Sequence, residues 1–337
     1  MLSKPQKDKL NLKSKIINLL SKIKILNKYY SGTGTILMLH RVSNFETNKI
    51  FPNENLKVSP KFLDSFICNL KLNGYKLISI EELLENIHLK KEIKKQIVFT
   101  LDDGYLDNYL NAYPIFKKHN VPFTIYLCPG LIDRSITAWW HDVEDIISES
   151  DIIRFDNKTI VCKTKKEKLN AFFVLRSKIL KLDKNQYFII MNSFLEDNNI
   201  NSKKNASNLF MQWKHVVELS NDKLVTIGSH TKNHFPLNQL SKKEIIDDVI
   251  GANELIEKKI NKKVNHFAFP YGTINEVKKN EIEILNNLGF KSVVTTRNGN
   301  IYKEHCNFKH CLPRIILTEK FKIKDIGRIR RKKIVSI

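Results

Sequence analysis

Two adjacent acids, Asp102 and Asp103, follow an apolar run and precede Gly104. Residues 97–100 are β-formers, and a short apolar run closed by a turn signal predicts a buried strand. Burying a carboxylate without a partner costs several kcal/mol or shifts its pKa, so the two acids require a metal ion, a cation or an exposed strand end. Successive strand residues point to opposite faces. The acids can therefore perform different roles only if Gly104 turns the backbone.

A second pattern with chemical potential is the pair His230 and His234. Their spacing allows one helical turn or a tight loop to direct both imidazoles at one point. Alone, such a pair is ordinarily two solvent-exposed histidines. With one carboxylate it would form a two-histidine, one-carboxylate site with open positions, suited to zinc or a related divalent ion such as cobalt, nickel or manganese. The other carboxylate would then be free to act as a base.

Two further polar residues are predicted at strand ends. His40 follows the apolar run 35–39, and Tyr271 follows the strand predicted at 264–269. In a sheet or barrel of parallel strands these ends share one rim, where such folds place their chemistry. By itself, a histidine at a strand end is ordinarily a hydrogen-bonded structural residue. The shared rim predicts that the acids, the histidines and the tyrosine lie together.

The elements that must position these residues alternate between strand and helix. Strands are predicted at 35–39, 75–78, 97–100, 121–127, 224–228, 264–269 and 292–295. Helices are predicted from Ser59, from Ser79, at 105–118, from Ser241 and at 275–288. Three of these helices begin at a serine that can cap the first turn. The alternation predicts parallel strands covered by helices, so the fold class is α/β.

The regular alternation stops between residues 151 and about 212. This stretch is polar, lysine-rich and helical in pattern, and we interpret it as a helical insertion without catalytic residues of its own. Just before it, Trp140 could line a surface on which a sugar ring stacks. An ordinary tryptophan contact in the core is the alternative.

The 337-residue chain has 57 Lys and Arg against 35 Asp and Glu, a formal charge of +22. This surplus favours a polyanionic partner such as nucleic acid, an anionic lipid surface or an acidic polysaccharide. The basic residues are spread over the chain and form no nucleic-acid-binding motif, which disfavours nucleic acid. A general bias toward Lys, Asn and Ile is the alternative explanation of the charge.

The chain has five cysteines without a Cys-x-x-Cys pair, which is neither a disulfide framework nor a zinc ribbon and favours reduced thiols in the cytoplasm. No run approaches the ~18 apolar residues of a membrane helix, and lysines interrupt residues 15–26, which disfavours a signal peptide. That segment is a basic amphipathic helix that could pack on the domain or lie on an anionic membrane surface. We therefore expect a basic extension at 1–34, a barrel at 35–322 and a basic tail at 323–337. The expected location is the cytoplasm, with peripheral contact at the inner membrane as the alternative.

Three short motifs, TLDDG at 100–104, SHTKNH at 229–234 and FPYG at 269–272, resemble those of the polysaccharide deacetylases of carbohydrate esterase family 4, the nodulation-protein-B-like domain. The resemblance covers roughly residues 36–320. It implies a distorted (β/α)7 barrel and metal-dependent hydrolysis of N-acetyl groups on amino sugars. It also implies roles for individual residues: metal ligands Asp103, His230 and His234, general base Asp102, the oxyanion-binding N–H of Tyr271, and substrate contacts from Pro270 and Tyr271, to which we add Trp140.

Two departures from the family pattern concern charge and proton transfer. The arginine that the family places before Pro-Tyr is Ala268 here, and Arg314 or Arg41 could supply its charge from another strand. The family's Leu-x-x-His motif is missing near the C-terminus but occurs at 37–40. The chain therefore resembles the branch with circularly permuted motifs, and the likeness implies that His40 is the general acid.

These observations favour an N-deacetylase acting on an amino-sugar-containing glycan or glycolipid precursor of the cell envelope. The loss of the family arginine leaves a second hypothesis, a catalytically inactive module that binds metal and glycan. A hydrolase of a non-sugar amide is a third. The expected partners are an acetylated glycan or glycolipid and, peripherally, an anionic membrane surface.

Overall fold

Seven parallel strands close into a barrel at the centre of the protein. A computed structural model describes residues 32–46, 52–91, 93–198 and 208–326. The strands in chain order are β1 (Gly34–Leu39), β2 (Arg41–Val42), β3 (Lys57–Val58), β4 (Lys76–Leu77), β5 (Gln96–Leu101), β6 (Phe123–Leu127), β7 (Ile152–Phe155), β8 (Lys158–Val161), β9 (Val225–Ser229), β10 (His266–Ala268), β11 (Ser292–Asn298) and β12 (Leu312–Ile316). Around the barrel the order is β1, β12, β11, β10, β9, β6, β5, and β5 pairs with β1 to close it. The predicted α/β barrel is confirmed.

Helices connect and cover the strands. They are α1 (Pro60–Leu72), α2 (Ile80–His88), α3 (Tyr113–Lys118), α4 (Pro129–Ile132), α5 (Trp139–Glu149), α6 (Lys165–Ile179), α7 (Lys184–Asp197), α8 (Trp213–Ser220), α9 (Lys242–Ile260) and α10 (Lys279–Asn287). The predicted serine caps are confirmed: Ser59, Ser79 and Ser241 each accept a backbone N–H from the first turn of α1, α2 and α9.

Alternate strand residues divide between two buried clusters, as the two-residue period of a strand requires. One cluster joins barrel strands to one another and includes Ile36, Val98, Tyr126, Ala268, Val294 and Leu312. The other packs strands against α1 and α3 and includes Leu37, Phe66, Phe99, Phe116 and Phe123. This division fixes which strand residues can face a site at the end of the barrel.

Several predicted boundaries are corrected. The helix predicted at 105–118 is a π-helical segment, Asn108–Ala112, followed by α3. The helix predicted at 275–288 spans only Lys279–Asn287. The sequence-based assignment also omitted β12, whose Pro313 argues against a central strand, although β12 pairs with both β1 and β11.

The insertion is not purely helical. It contains the antiparallel hairpin of β7 and β8 in addition to α6 and α7. Asp156 and Asn157 form the turn with φ of 51° and 55°, both in the left-handed region that such tight hairpins favour. Ile153 and Phe155 point into a separate apolar cluster shared with α5 and α6. The insertion therefore packs against α5 and the loops that follow β5 and β6 through a shared apolar cluster.

The predicted basic helix at 15–26 and most of the predicted basic tail lie outside the described residues. Within the described part of the chain, no helix has the length and apolar character needed to span a bilayer.

Candidate active site at the carboxyl end of the barrel

The chemistry-bearing residues predicted from the sequence converge where the barrel strands end. The segments that follow β1, β5, β9 and β10 supply His40, the acid pair, His230 and Tyr271. They line a cavity of about 310 Å³ together with Trp140 and His234. Pro270 is buried in the turn before Tyr271 and does not line the cavity.

Three buried side chains form a possible metal site. The Nε2 atoms of His230 and His234 lie 3.3 Å and 3.1 Å from the same oxygen of Asp103. Burial alone would raise the pKa of Asp103, but the hydrogen bonds to the two imidazoles hold it well below its ordinary value. Their potential ligand atoms all lie within 4.8 Å of one another. Two imidazole nitrogens and one carboxylate oxygen, closely spaced and buried, fit a divalent cation such as zinc.

Contacts on the far side of each imidazole orient these ligands. Nδ1 of His230 lies 2.8 Å from the carbonyl oxygen of Ala268, so Nδ1 donates to that oxygen and Nε2 is the nitrogen that can bind a metal. Nδ1 of His234 lies 3.2 Å from the Tyr271 hydroxyl, which also accepts a hydrogen bond from Trp139 Nε1 at 2.9 Å. Burial holds the pKa of the Tyr271 phenol well above its ordinary value, so this hydroxyl stays protonated. Such contacts fix ring orientation and ligand basicity.

The site is held by strained backbone. Four of its residues have φ between 55° and 73°: Asp103, Thr231, His234 and Tyr271. Non-glycine residues rarely adopt this left-handed region, because it costs about 1–3 kcal/mol per residue. The left-handed turn at Asp103, continued by the next glycine, separates the directions of the two acids. The histidine pair lies in a loop, the second of the two predicted possibilities. There the Thr231 hydroxyl accepts the His234 N–H at 3.0 Å, and Asp248 accepts the N–H that follows Thr231, also at 3.0 Å.

Arg314 is the cation that pairs with Asp102. Its two terminal nitrogens each donate to a different oxygen of the carboxylate at 2.7 Å, and one also donates to Thr100 Oγ1 at 3.1 Å. Burial, the largest single effect, would raise the pKa of Asp102, but the charge and hydrogen bonds of Arg314 together with the nearby imidazoles of His230 and His40 lower it below its ordinary value. The other candidate, Arg41, pairs with Asp107 at 2.8 Å instead. Arg314 thus supplies the charge that Ala268 lacks.

His40 lies at the end of β1 and contributes a cavity-facing imidazole. It lines the cavity, and its Nδ1 is buried with no hydrogen-bond partner among the described residues. Its backbone carbonyl accepts from Asn108 Nδ2 at 2.8 Å, which fixes the main chain at the end of β1. A buried ring nitrogen of this kind is suited to bonding with a group that enters the cavity.

The walls of the cavity include the predicted Trp140 and three residues of α6 that were not predicted from the sequence. Trp140 is 8% exposed, and its indole N–H donates to the Tyr105 hydroxyl at 2.9 Å, so its core contacts and its place on the cavity wall coexist. The insertion also reaches the cavity through Phe172, Phe173 and Arg176 of α6. Their spacing on one side of a helix was the available signal, but the helix could not be docked from sequence.

Comparisons with known proteins agree with this geometry. A family model for polysaccharide deacetylases matches residues 90–161 and 164–293. YxkH of Bacillus subtilis is 33% identical over 115 residues, or 34% of this chain and 37% of that protein. The poly-beta-1,6-N-acetyl-D-glucosamine N-deacetylase of Staphylococcus aureus is 29% identical over 133 residues, or 37% of this chain and 44% of that protein. The matches thus span less than half of either relative.

Solved structures share the fold. The Streptococcus pyogenes deacetylase PplD superposes with a TM-score of 0.58 at 19% identity, over 88% of this chain and 97% of that one. IcaB from Ammonifex degensii superposes with a TM-score of 0.56 at 16% identity, over 88% and 97%. At these identities the likeness concerns the barrel alone, whereas the family model covers more than half of this sequence. The chain belongs to the polysaccharide deacetylase family.

Proposed function

We propose that this protein is a metal-dependent N-deacetylase that hydrolyses the acetamido group of an amino sugar. The observation that carries the proposal is the pairing of Asp102 with Arg314 beside the cluster of Asp103, His230 and His234, in one cavity. An inactive binding module would have no need for a buried, ionised carboxylate beside its metal ligands.

In this proposal Asp103, His230 and His234 hold the metal, most suitably zinc because of the mixed nitrogen and oxygen donors. A bound divalent cation would act as a Lewis acid toward the amide carbonyl and make water more acidic. The protein's own contribution is to hold both Nε2 atoms close to the same Asp103 oxygen, which the contacts of the two Nδ1 atoms support by fixing the orientation of each ring. Removal of these ligands should therefore remove the metal.

Asp102 is proposed as the general base. A base must be ionised and must point at the water it deprotonates. The two 2.7 Å bonds from Arg314 support both conditions, because they favour the charged carboxylate and fix its plane. As the tetrahedral centre forms, the backbone N–H of Tyr271 would stabilise the developing oxyanion. The Thr296 hydroxyl supports this role, since it holds the Tyr271 carbonyl at 2.7 Å and so restrains the turn.

His40 is proposed as the general acid that protonates the departing amine. The proposal is supported by its position on the cavity wall and by the unbonded state of its buried Nδ1 among the described residues. We also propose that His40 represents the family's Leu-x-x-His motif in circularly permuted order. Since β1 lies beside β12 in the barrel, a histidine after β1 reaches the same rim as one near the C-terminus.

The proposed substrate is an N-acetylated glycan or glycolipid of the cell envelope, with Tyr271 and Trp140 forming part of its binding site and Pro270 shaping the turn that carries Tyr271. The cavity of about 310 Å³ accommodates a sugar ring with its acetamido group. We further propose that residues 35–322 form the deacetylase unit and that the basic segments 1–34 and 323–337 contact an anionic membrane surface.

The test is acetate release from N-acetylglucosamine oligomers, with and without a chelator. The wild-type protein should release acetate, treatment with a chelator should abolish release, and zinc should restore it. Asp102→Asn should abolish turnover while retaining the metal. Full activity of Asp102→Asn would refute the assignment of the base. Bound metal and bound glycan without any turnover would identify an inactive binding module.

A further inference from the structure

Arg176 faces the cavity of the candidate active site and has no anionic partner among the described residues. It is half-buried on α6, within the insertion, and lines the same cavity as Asp102 and His234. Its guanidinium carbon lies 6.0 Å from the ring centroid of Tyr271, a cation–π contact. Among the described residues, no oxygen lies within hydrogen-bond or ion-pair distance of this guanidinium. A permanently charged group with five donors is therefore presented to whatever enters the cavity.

The other enclosed arginines of the described chain all have oxygen acceptors. These pairs are Arg41 with Asp107, Arg134 with the Met211 carbonyl, Arg297 with the Val277 carbonyl, and Arg314 with Asp102. Enclosing a charged group is unfavourable unless it is paired or solvated. Arg176 differs from these four arginines because its guanidinium has no oxygen acceptor among the described residues.

We propose that Arg176 binds an anionic group of the substrate, so that the preferred substrate is an N-acetylated glycan bearing a phosphate or carboxylate close to the acetamido group. This inference rests on the proposed function. The planar guanidinium fork matches both kinds of anion in bidentate geometry. Asp102 does not compete for this cation, because Arg314 already occupies both of its oxygens.

The position of Arg176 sets where the anion lies. The ring of Tyr271 contacts Arg176 and also His234, with ring centroids of the latter pair 4.9 Å apart. The anion would therefore lie about one aromatic ring away from the metal ligands, on the same sugar unit or on its immediate neighbour. Two phenylalanines of α6 line the same wall, and the 53% exposed ring of Phe173 offers an apolar face on which a sugar can pack.

The chain provides a matched control in Lys178. This residue lies on the same helix, is also half-buried and makes a similar cation–π contact, with Nζ 5.5 Å from the Phe155 ring centroid. Two residues along a helix correspond to a rotation of about 200°, so Lys178 faces away from the cavity and lines a different groove. Lys178→Gln removes the same charge from the same helix without altering the cavity.

The test compares three probes: neutral triacetylchitotriose, N-acetylglucosamine 6-phosphate and a hyaluronan tetrasaccharide, which carries carboxylates. In the acetate-release assay, Arg176→Gln should raise KM for at least one anionic probe by roughly tenfold or more, because a charge-assisted hydrogen bond to the anion is lost. The kcat for that probe and the KM for the neutral trimer should stay within about twofold. Arg176→Lys should recover part of the loss, and Lys178→Gln should match wild type.

The outcomes distinguish a phosphate from a carboxylate as the anion. They also distinguish failure of the Arg176 inference from failure of the proposed deacetylation. A KM effect confined to the phosphate or to the carboxylate probe identifies the anion. Equal KM effects on all three probes, or none, overturn the inference. If wild type releases no acetate from any probe, the proposed deacetylation fails for these sugars, and equilibrium binding then decides the role of Arg176. A wild-type preference for anionic probes that Arg176→Gln loses supports it, and equal Kd values refute it.

Discussion

Replacing Arg314 by methionine should destabilise the protein by about 3–5 kcal/mol at neutral pH, because it removes one partner of a buried ion pair. Arg314 and its partner Asp102 are each 1% exposed. Both carboxylate oxygens of Asp102 accept hydrogen bonds of 2.7 Å from the Arg314 guanidinium. Methionine has a similar length but no charge, so the carboxylate would remain buried and uncompensated. Urea unfolding measures the loss, which is a large fraction of the roughly 5–15 kcal/mol typical of a folded domain.

The pH dependence of this loss has a definite sign. In wild type the pKa of Asp102 is lowered, so its charged form stabilises the native state above the ordinary aspartate pKa, and this stabilisation is lost as the pH falls through the lowered value. Without Arg314, burial shifts the pKa of Asp102 upward. The stability gap between wild type and Arg314→Met should therefore narrow as the pH falls from 7 toward about 4 and Asp102 becomes protonated. The acid limb of kcat/KM for acetate release should move to higher pH.

A double-mutant cycle with Asp102→Asn provides the control. In that background the carboxylate charge is absent, so Arg314→Met should cost clearly less than in wild type. An equal cost in both backgrounds would show that Arg314 acts through packing alone. A cost below about 1 kcal/mol together with an unchanged acid limb would refute the reasoning, because it is the behaviour of an exposed ion pair.

Three further predictions follow from the site and the barrel. Asp103→Asn should reduce bound zinc, measured by elemental analysis after dialysis, whereas an unchanged zinc content would place the metal elsewhere. His40→Ala should lower kcat for acetate release with unchanged zinc content, and loss of zinc would instead identify His40 as a ligand. Gly228→Ala should lower the free energy of unfolding by about 1–3 kcal/mol, measured by urea unfolding. The added Cβ would lie 2.5 Å from the Tyr126 ring and 3.0 Å from the His266 carbonyl oxygen. Wild-type stability of this variant would show that the Tyr126 ring can move to make room.

The barrel and the histidine–acid cluster were predictable because they depend on local patterns and one topological rule. Alternation of strands and helices requires parallel strands, and parallel strands bring their carboxyl ends to a common rim. That rule was sufficient to bring Asp103 and His234 together although 131 residues separate them in the chain. The roles of these residues stay predictions, while their convergence is a property of the fold.

The partner of Asp102 was not predictable from the same rule. Arg41 lies just after β1 and Arg314 is the middle residue of β12, and the sequence has no information on which of the two side chains points into the barrel. Arg314 is buried beside Asp102, 212 residues away in the chain, whereas Arg41 lies in β2 and donates to Asp107. The choice depends on the facing of β12, which pairing with β1 and β11 determines.

The insertion was only partly predictable, for a physical reason that differs from the case of Arg314. The lysine-rich composition of residues 151–212 favours a helical interpretation. It obscures the short hairpin that β7 and β8 form at 152–161. Its signal was present in the Asp156-Asn157 turn and in the alternation of buried Ile153 and Phe155 with exposed neighbours. The docking of α6 on the cavity depends on tertiary packing, which no local pattern encodes.

Because Arg314 lies on the last barrel strand in chain order, the catalytic role proposed for Asp102 would depend on completion of the barrel during synthesis. Domains emerge from the ribosome N-terminal part first, so the residues that form the Asp103, His230 and His234 cluster are made before β12. Until β12 pairs with β1, Asp102 lacks the cation that orients it. A nascent or truncated chain could thus acquire metal but not a correctly held base, and hydrolytic competence would begin only when the barrel is complete.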